Sequence, residues 1–495
     1  IVCVGGQVPY KDRQINLIQM SIEEDSCREE MDKGHDRIYL TDRLGMPLIE
    51  TVTHPEMKTP HEVAEVNQLI REINRSTGKV RTGIGAGRQD VNVSVTGGTR
   101  IEIKGVPRIP EIPRLTYNEA QRQYRLLQLK EELKKRGITE ETFKADYKEV
   151  TKIVKKTGFQ PIANAIQDDN IVKGVVLKGF KGLMNWQTQD DTYFSKEISD
   201  RVRVIACLTH LPNIIHSDSP TENIAASEWR KIKEYLGASK DDTVVVTWGN
   251  EEDTEMASKE IIIRAEEATQ GIPSETRQAL RDGTTGFERI LPGPERMYPD
   301  TDLPPFEITE ERLDYVRSQV PEKIWERVAW YRELGVPEDL IKDLKISELA
   351  PIFKRLVDED NIDPKLAATA LIQFPKRLKK KGYKVEKLTE DKFEKLFEEL
   401  KNGKLVKDGI LYAMENMLLA EETDEIKPED IIPEPVSEDT VKSRIQTAVN
   451  QVKQAELFNP ENKDKIAIGI VMDDLRGRVN GVKVKELYEK MNGEA

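Results

Sequence analysis

The chain has 495 residues, of which 37% are hydrophobic and 33% are charged, and its formal net charge at pH 7 is -13. This length exceeds what one hydrophobic core organises, so about three or four domains are expected, and no apolar run approaches the roughly twenty residues of a membrane span. The net charge opposes indiscriminate binding to a phosphate backbone, while the three cysteines, Cys3, Cys27 and Cys207, have neither metal-ligand spacing nor a disulfide framework, which indicates a cytoplasmic setting.

The first part of the chain, residues 1–105, has the pattern of short strands separated by turns. One helix is predicted from His61 to Arg75, because Pro60 precedes this stretch and Gly78 follows it. The pattern predicts an α+β region.

Three glycines within residues 81–87 have the spacing of a phosphate-binding loop. Such a loop places its glycines between a strand and a helix, because the phosphate binds the N-terminal amides of that helix. Here residues 90–95 alternate polar and apolar side chains and predict a strand, and no Lys-Ser or Lys-Thr closes the loop. We therefore interpret the glycines as a turn that leads into a hairpin.

The register of this hairpin is predicted from its alternation. A two-residue turn would mix polar with apolar partners, whereas a three-residue turn at residues 97–99 pairs Val95 with Ile101 and Val93 with Ile103. The other face then carries polar side chains, namely Asn92, Ser94, Glu102 and Lys104. The hairpin alone leaves two possibilities for this polar face, which is either solvated or part of a functional site.

The pattern changes three times farther along the chain. A capping box at Thr116–Glu119 predicts a helix that ends at Arg136. Residues 168–285 mix strands with helices and predict an inserted α+β domain. Residues 309–422 are helical, and after an acidic linker with several prolines two further helices are predicted.

Four carboxylates are candidates for a metal site: Glu23, Glu24, Asp25 and Glu50. Adjacent carboxylates repel one another, so a cation is one reason to hold them together, and hard oxygen ligands favour Mg²⁺. The alternative is structural, because Ser21 and Glu24 have the spacing of a capping box. The spacing alone leaves both interpretations open.

A basic cluster lies near the middle of the helical region. Its members are Lys376, Arg377, Lys379, Lys380, Lys381 and Lys384, with Tyr383 among them. A solvated helix end and a phosphate-binding patch both explain such a cluster.

Several motifs together resemble one family along nearly the whole chain. They are Met20–Asp25, Asp42–Glu50, Arg88–Ser94, Arg100–Gly105, Asp282–Thr285 and Arg296–Asp302. The sequence is similar to the GatB/GatE family, which comprises the E-type subunits of archaeal glutamyl-tRNA(Gln) amidotransferases and their bacterial B-type relatives.

The resemblance implies a multidomain α+β fold, in which a mixed-sheet cradle domain receives an insertion similar to one in aspartyl-tRNA synthetases. The implied domains are a cradle that lacks its N-terminal part (1–167), the inserted domain (168–285), a cradle return segment (286–308), a helical domain (309–424), a linker (425–436) and a tail similar to YqeY proteins (437–495).

The resemblance also implies a reaction and its components. The cradle phosphorylates the γ-carboxylate of glutamate on tRNA(Gln) with ATP and Mg²⁺, and ammonia from an asparaginase-like glutaminase, the D-type partner in this family, displaces the phosphate. A heterotetramer is expected, with neither DNA nor a membrane as partner. The implied Mg²⁺ ligands are Glu24 and Glu50, in preference to Glu23, and the basic cluster is expected to bind tRNA.

The remaining implied site residues contact phosphate or line the site. Arg88 and Lys104 balance phosphate charge, while the floor and a neighbouring wall are formed by Asn92, Ser94, Glu102, Tyr298 and Asp300.

The chain departs from the family pattern in one important respect. The family pattern begins with a strand that carries Glu-x-His metal ligands, and the resemblance implies about a quarter of the subunit upstream of Ile1, so the sequence is expected to be either a fragment or a protein that has lost the reaction. This departure motivates an alternative, a noncatalytic tRNA-binding scaffold. A third interpretation, an aminoacyl-tRNA synthetase, fails because no adenylate-binding core motif accompanies the insertion.

Overall fold

A computed structural model describes residues 1–83, 85–219, 223–291, 306–422, 431–454 and 462–492. The chain divides into two compact units, one of residues 1–71 with 82–307 and one of residues 72–81 with 308–495. Within the described ranges, no helix is long and apolar enough to cross a membrane. The mixed first unit and the helical second unit confirm the prediction of a multidomain α+β protein in its coarse form.

The first unit contains all the described strands. In chain order they are β1 (Cys3–Val4), β2 (Gln7–Tyr10), β3 (Arg13–Glu24), β4 (Arg28–Lys33), β5 (Asp36–Leu40), β6 (Pro47–Thr53), β7 (Gln89–Val93), β8 (Ile101–Val106), β9 (Ala145–Glu149), β10 (Ile171–Leu177), β11 (Gln187–Gln189), β12 (Thr192–Tyr193), β13 (Ile214–His216), β14 (Thr243–Gly249), β15 (Glu275–Ala279) and β16 (Thr285–Ile290).

The helices that begin in this unit are α1 (Pro60–Ser76), α2 (Ile112–Lys135), α3 (Thr151–Val154), α4 (Gln160–Gln167), α5 (Phe194–Ile205), α6 (Ala226–Tyr235) and α7 (Glu251–Gln270). The prediction of a helix from His61 to Arg75 is confirmed by α1. The prediction that a capping box at Thr116–Glu119 begins the next helix is wrong, because α2 begins four residues earlier, at Ile112. Pro113 occupies a position in the first turn of α2, where no amide donor is needed.

A sheet with the strand order β16-β15-β8-β7 contains the predicted hairpin, which is formed by β7 and β8. Strands β15 and β8 are parallel and the other neighbours are antiparallel. One face of this sheet is core, because Val91, Val93 and Ile103 pack against Ile112 and Leu115 around α2. The prediction that a strand and not a helix follows the glycines is therefore confirmed.

The predicted register of the hairpin is wrong by two residues. Val93 pairs with Ile101, and Asn92 with Glu102, so the connection between the strands is longer than three residues. The cause lies in α2, where the Gln123 side chain donates to Val93 O (3.0 Å) and accepts from Val95 N (3.2 Å). A two-residue shift preserves the alternation, so both predicted faces survive.

The N-terminal sheet brings two separate segments together. Strand β3 pairs with β1, β2 and β6. Ser21 lies opposite Glu50, and Glu24 lies opposite Pro47. The capping-box interpretation of Ser21 and Glu24 is wrong, because both residues belong to the twelve-residue strand β3.

An antiparallel sheet of order β13-β14-β10-β9 forms the centre of the inserted region. Its two faces are covered by separate apolar clusters, one that includes Val175 and Phe194 and one that includes Val172 and Trp248. Strand β9 precedes residue 168, and β15, which ends before residue 285, pairs with β8. The sheet of order β13-β14-β10-β9 thus includes a strand that precedes residue 168, and β15 belongs to the sheet of the hairpin.

A buried ion network connects the inserted region with the sheet that carries the hairpin. Arg122 on α2 donates to Glu197 Oε1 on α5 (2.8 Å) and to Glu275 Oε1 on β15 (2.5 Å). Arg277 on β15 donates to the same Glu275 oxygen (2.5 Å). Each of these four residues is at most 3% exposed to solvent. Burial acts to raise the pKa of Glu197, but Arg122 and Arg277 outweigh it and hold this pKa well below its ordinary value.

The second unit is helical in its described residues. Its helices are α8 (Glu310–Gln319), α9 (Ile324–Glu333), α10 (Glu338–Leu344), α11 (Ala350–Asp358), α12 (Pro364–Ala368), α13 (Phe374–Lys380), α14 (Glu390–Lys401), α15 (Ile410–Glu422), α16 (Glu438–Gln454), α17 (Lys463–Asp474) and α18 (Gly481–Asn492). The last three share their own apolar core, which includes Ile445, Val471 and Val484. Two helices were predicted in this tail, and the described residues contain three.

Candidate active site

The polar face of the hairpin sheet carries a lysine among carboxylates. Lys104 Nζ lies 3.5 Å from Asp90 Oδ2 and 3.7 Å from Glu102 Oε1. Asp90 Oδ1 also accepts a hydrogen bond from Gly105 N at 2.7 Å. Asn92 is the cross-strand partner of Glu102 and is exposed. Asp90 was missed in the sequence prediction, although it lies two residues before Asn92 in the same alternating stretch.

Glu50 belongs to strand β6 of the N-terminal sheet, and its carboxylate lies within electrostatic range of the acids on this polar face. Partial desolvation and the Glu23 carboxylate raise the pKa of Glu50, and Asp90 and Glu102 raise it further. Like charges affect one another in this way only when they lie close together. The structure therefore places Glu50 within electrostatic range of Asp90 and of the predicted floor residue Glu102.

The predicted pairing of Glu24 with Glu50 as metal ligands needs correction. Side chains alternate between the two faces of a strand, and the pairing of β3 with β6 is regular from Gln19 to Glu24. Ser21 is the partner of Glu50, so Glu23 shares the face of Glu50 and Glu24 lies on the opposite face. The Glu23 carboxylate also raises the pKa of Glu50, so the two acids lie close together, which the residue order alone could not show.

Arg88 is held by a carboxylate at the edge of the site. Its Nη2 lies 3.5 Å from Asp25 Oδ1, and Arg43 Nε lies 3.5 Å from the other oxygen of the same carboxylate. The Asp25 side chain is 11% exposed and that of Arg88 is 41% exposed. Arg88 is thus available to a ligand only if it exchanges or shares this ion pair.

The remaining predicted site residues, Ser94, Tyr298 and Asp300, do not lie on the described strands of the hairpin. Ser94 follows the last residue of β7 and is exposed, so it is not part of the paired ribbon. Tyr298 and Asp300 lie outside the described residues.

Glu288 on β16 is a site candidate that the sequence did not reveal. Burial raises the pKa of Glu288, while Lys104 acts to lower it. Its Oε2 is buried and has no hydrogen-bond partner among the described residues, and the same holds for Thr276 Oγ1 on β15. No sequence signal identified Glu288, because β16 is brought beside Lys104 only by the return of the chain after the inserted region.

The fit of these residues to a divalent cation rests on Glu23 and Glu50. Within the described ranges, no three His, Cys, Asp or Glu side chains are arranged to hold a metal ion. Mg²⁺ in phosphoryl-transfer sites needs fewer protein ligands, since one or two carboxylates act together with substrate phosphates and water. Glu23 and Glu50, which share one face of the sheet, meet that requirement, and a cation would relieve the repulsion that raises the pKa of Glu50.

Within the ranges that the structure describes, two of the six members of the basic cluster in the second unit are paired with carboxylates. Lys376 Nζ lies 2.5 Å from Asp343, and Lys381 Nζ lies 2.7 Å from Glu415. Lys379 and Lys380 are exposed and form no ion pair within the described part of the chain. These two lysines are the members best placed to meet a phosphate backbone; Arg377 and Lys384 are exposed as well.

The fold and this site define a class, a mixed α+β protein with an acidic, lysine-containing site on a sheet and a helical C-terminal region. A family model described as the GatB/GatE catalytic domain matches residues 2–314, and one described as the GatB domain matches residues 351–491. The chain belongs to the GatB/GatE family.

Curated relatives extend the match over nearly the whole chain. The protein of Methanocaldococcus jannaschii is 34% identical over 98% of this chain and 77% of its own length. That of Sulfurisphaera tokodaii is 34% identical over 100% of this chain and 78% of its own length. That of Pyrococcus furiosus is 36% identical over 83% of this chain and 64% of its own length. All three are named as the E subunit of glutamyl-tRNA(Gln) amidotransferase.

Proposed function

We propose that the chain is the component of a tRNA-dependent amidotransferase that converts Glu-tRNA(Gln) to Gln-tRNA(Gln). The observation that carries this proposal is the placement of Glu50 from β6 within electrostatic range of Asp90 and Glu102, the two acids that lie beside Lys104 on the hairpin. The names of the curated relatives support the same reaction and do not favour the noncatalytic alternative.

The chemistry explains why a phosphoryl-transfer site is needed. A carboxylate is a poor acylating agent, so one oxygen of the glutamate γ-carboxylate attacks the γ-phosphorus of ATP and ADP leaves. Ammonia then attacks the acyl carbon, the bond from carbon to the phosphate oxygen breaks, and a proton lost by nitrogen ends on phosphate. Such reactions depend mainly on positioning and on neutralisation of charge.

The charges of the site indicate what each residue contributes. Glu23, Glu50, Asp90 and Glu102 carry four negative charges against the single positive charge of Lys104. An anionic triphosphate would be repelled by this set alone. Mg²⁺, when bound, would supply the missing positive charge. Glu23 and Glu50 would hold it, and Lys104 would donate to a phosphate oxygen.

The experiment compares isosteric variants of three acids in the complex with the partner protein. We expect Glu50→Gln and Glu23→Gln to reduce ATP-dependent amidation of Glu-tRNA(Gln) by about 100-fold or more, because each removes a ligand of the cation that would neutralise charge at the transferred phosphoryl group. Glu29→Gln on the exposed strand β4 is the matched control and should stay within about 2-fold of the parent.

Comparison of Glu23→Gln with Glu24→Gln then shows which of these two neighbouring acids acts together with Glu50. Since Glu24 lies on the other face of β3, its variant should lose less activity than Glu23→Gln. Full amidation activity in Glu50→Gln would remove this acid from the site and overturn the proposed function.

The finer parts of the proposal concern partners and domains. An ammonia-supplying, asparaginase-like glutaminase as partner, a heterotetramer, an inserted domain similar to one in aspartyl-tRNA synthetases and a YqeY-like tail all follow from the family resemblance. The exposed Lys379 and Lys380 support tRNA contact by the helical region.

A further inference from the structure

A cavity of about 380 Å³ opens in the inserted region, away from the proposed active site. It lies between helix α4, the end of strand β14 and the loop that precedes β13. Pockets of roughly 300–1,000 Å³ are typical of small-molecule sites, so the cavity can receive one small ring system.

Aromatic and apolar side chains form the walls of this cavity. Trp248 is 2% exposed, and its ring centroid lies 5.6 Å from that of His210, with 39° between the ring planes. Leu211 and Pro212 are both exposed beside this ring pair, and Ala165 lies on the α4 side. A flat ligand that enters past Leu211 would therefore meet the exposed His210 ring and aliphatic carbon.

Amide and carboxylate groups supply the polar part of the lining. Asn164 Oδ1 accepts a hydrogen bond from Gln160 Nε2, which leaves its amide hydrogens to other acceptors. Asp168 and Asn170 make no side-chain hydrogen bond within the described ranges. Donors and acceptors thus occur together at one end of an apolar slot, as in sites that recognise the edge of a planar heterocycle.

The charges of the lining exclude an anionic ligand. No lysine or arginine lines the cavity, and Asp168 is its one formally charged residue at neutral pH among the described residues. Partial burial lowers the pKa of His210, so its imidazole is neutral and offers one donor and one acceptor. A phosphate or carboxylate would find repulsion here and no compensating cation.

On the basis of the proposed tRNA-dependent function, we propose that this cavity binds one unpaired nucleobase of the tRNA substrate. The base stacks on the exposed His210 ring, which packs against the buried Trp248, and its edge is read by Asn164, Asp168 and Asn170. RNA-binding proteins recognise unstacked bases by this combination of ring stacking and edge hydrogen bonds.

The first test measures the affinity of the full complex for Glu-tRNA(Gln) at several salt concentrations. The double variant His210→Ala/Asn164→Ala should weaken binding about 5- to 150-fold, the effect of one lost stacked base. The slope of log affinity against log salt should stay unchanged, because no phosphate contact is removed. His61→Ala, an exposed histidine outside the cavity, is the control and should leave the affinity unchanged.

The second test introduces single abasic sites at the unpaired positions of the tRNA. One abasic site should reproduce the loss of affinity in the parent protein and should cause no further loss in the double variant, since both remove the same contact. An unchanged melting temperature of the variant shows that its loss is not a loss of folding.

The outcomes distinguish the two proposals. Parent affinity in the double variant, a reduced salt slope, or additive losses with every abasic site would overturn the nucleobase assignment while tRNA-dependent amidation stands. If the parent complex neither binds nor amidates Glu-tRNA(Gln), the proposed function itself fails.

Discussion

Removal of Arg122 tests whether the buried ion network stabilises the first unit. The Arg122 side chain is 0% exposed and contacts three carboxylates, those of Glu119 (3.0 Å), Glu197 (2.8 Å) and Glu275 (2.5 Å). Arg122→Met keeps much of the apolar stem but removes one of the two guanidinium groups that contact all three acids, the other being that of Arg277. Breaking a buried ion pair from one side costs about 3–5 kcal/mol, because an uncompensated charge stays buried.

The loss is large enough to measure by thermal unfolding. For a unit of this size, 1 kcal/mol corresponds to roughly 2–4 °C, so the melting temperature should fall by about 6–20 °C. Arg108→Met is the matched control in the same unit, since Arg108 pairs with Glu111 at the surface, with side-chain exposures of 72% and 42%. An exposed pair contributes about 1 kcal/mol at most, so the control should shift the melting temperature by only a few degrees.

A double variant sharpens the interpretation. Arg122→Met/Glu197→Gln removes one charge of each sign, so it should lose less stability than the sum of the two single variants. If Arg122→Met melts within a few degrees of the parent, or if the double variant shows strict additivity, the buried network does not stabilise the unit as reasoned here.

Three further results are expected. The pKa of Glu50 in the folded protein lies above its value of about 4.3 in the unfolded chain. Ionisation of Glu50 therefore lowers the free energy of unfolding at pH 7, and this loss is relieved as the pH falls through the folded pKa. Glu50→Gln should therefore melt higher than the parent at pH 7 and equally at about pH 4, and a lower melting temperature at pH 7 would contradict this cause. Added Mg²⁺ should raise the melting temperature of the parent but not of Glu23→Gln, and an equal shift in both would place the cation elsewhere. Lys379→Gln/Lys380→Gln should reduce the salt slope of tRNA binding by about 2, whereas an unchanged slope would show that these lysines are only solvated.

The alternation of the hairpin was sufficient to predict its two faces. Val93 and Ile103 face the core, and Glu102 and Lys104 face the site, because side chains of a strand alternate whatever its partner. The register was not predictable from the hairpin, since the decisive hydrogen bonds come from Gln123, a residue of a later helix.

The residue order also could not choose between Glu23 and Glu24. Both are carboxylates of one motif, and only the pairing of Ser21 with Glu50 decides which of them shares a face with Glu50. Glu288 illustrates the same limit, because the chain returns to the sheet beside Lys104 only after the inserted region.

The sequence by itself determined the order of strand-rich and helical regions, the helix after Pro60 and the polar and apolar faces of the hairpin, since these depend on periodicities of a few residues. Only the tertiary structure decided that charged residues as distant as Arg122, Glu197 and Glu275 would lie in a core. A single charge is expelled from an apolar interior, but opposite charges at hydrogen-bonding distance compensate one another, and that distance is a property of the folded chain.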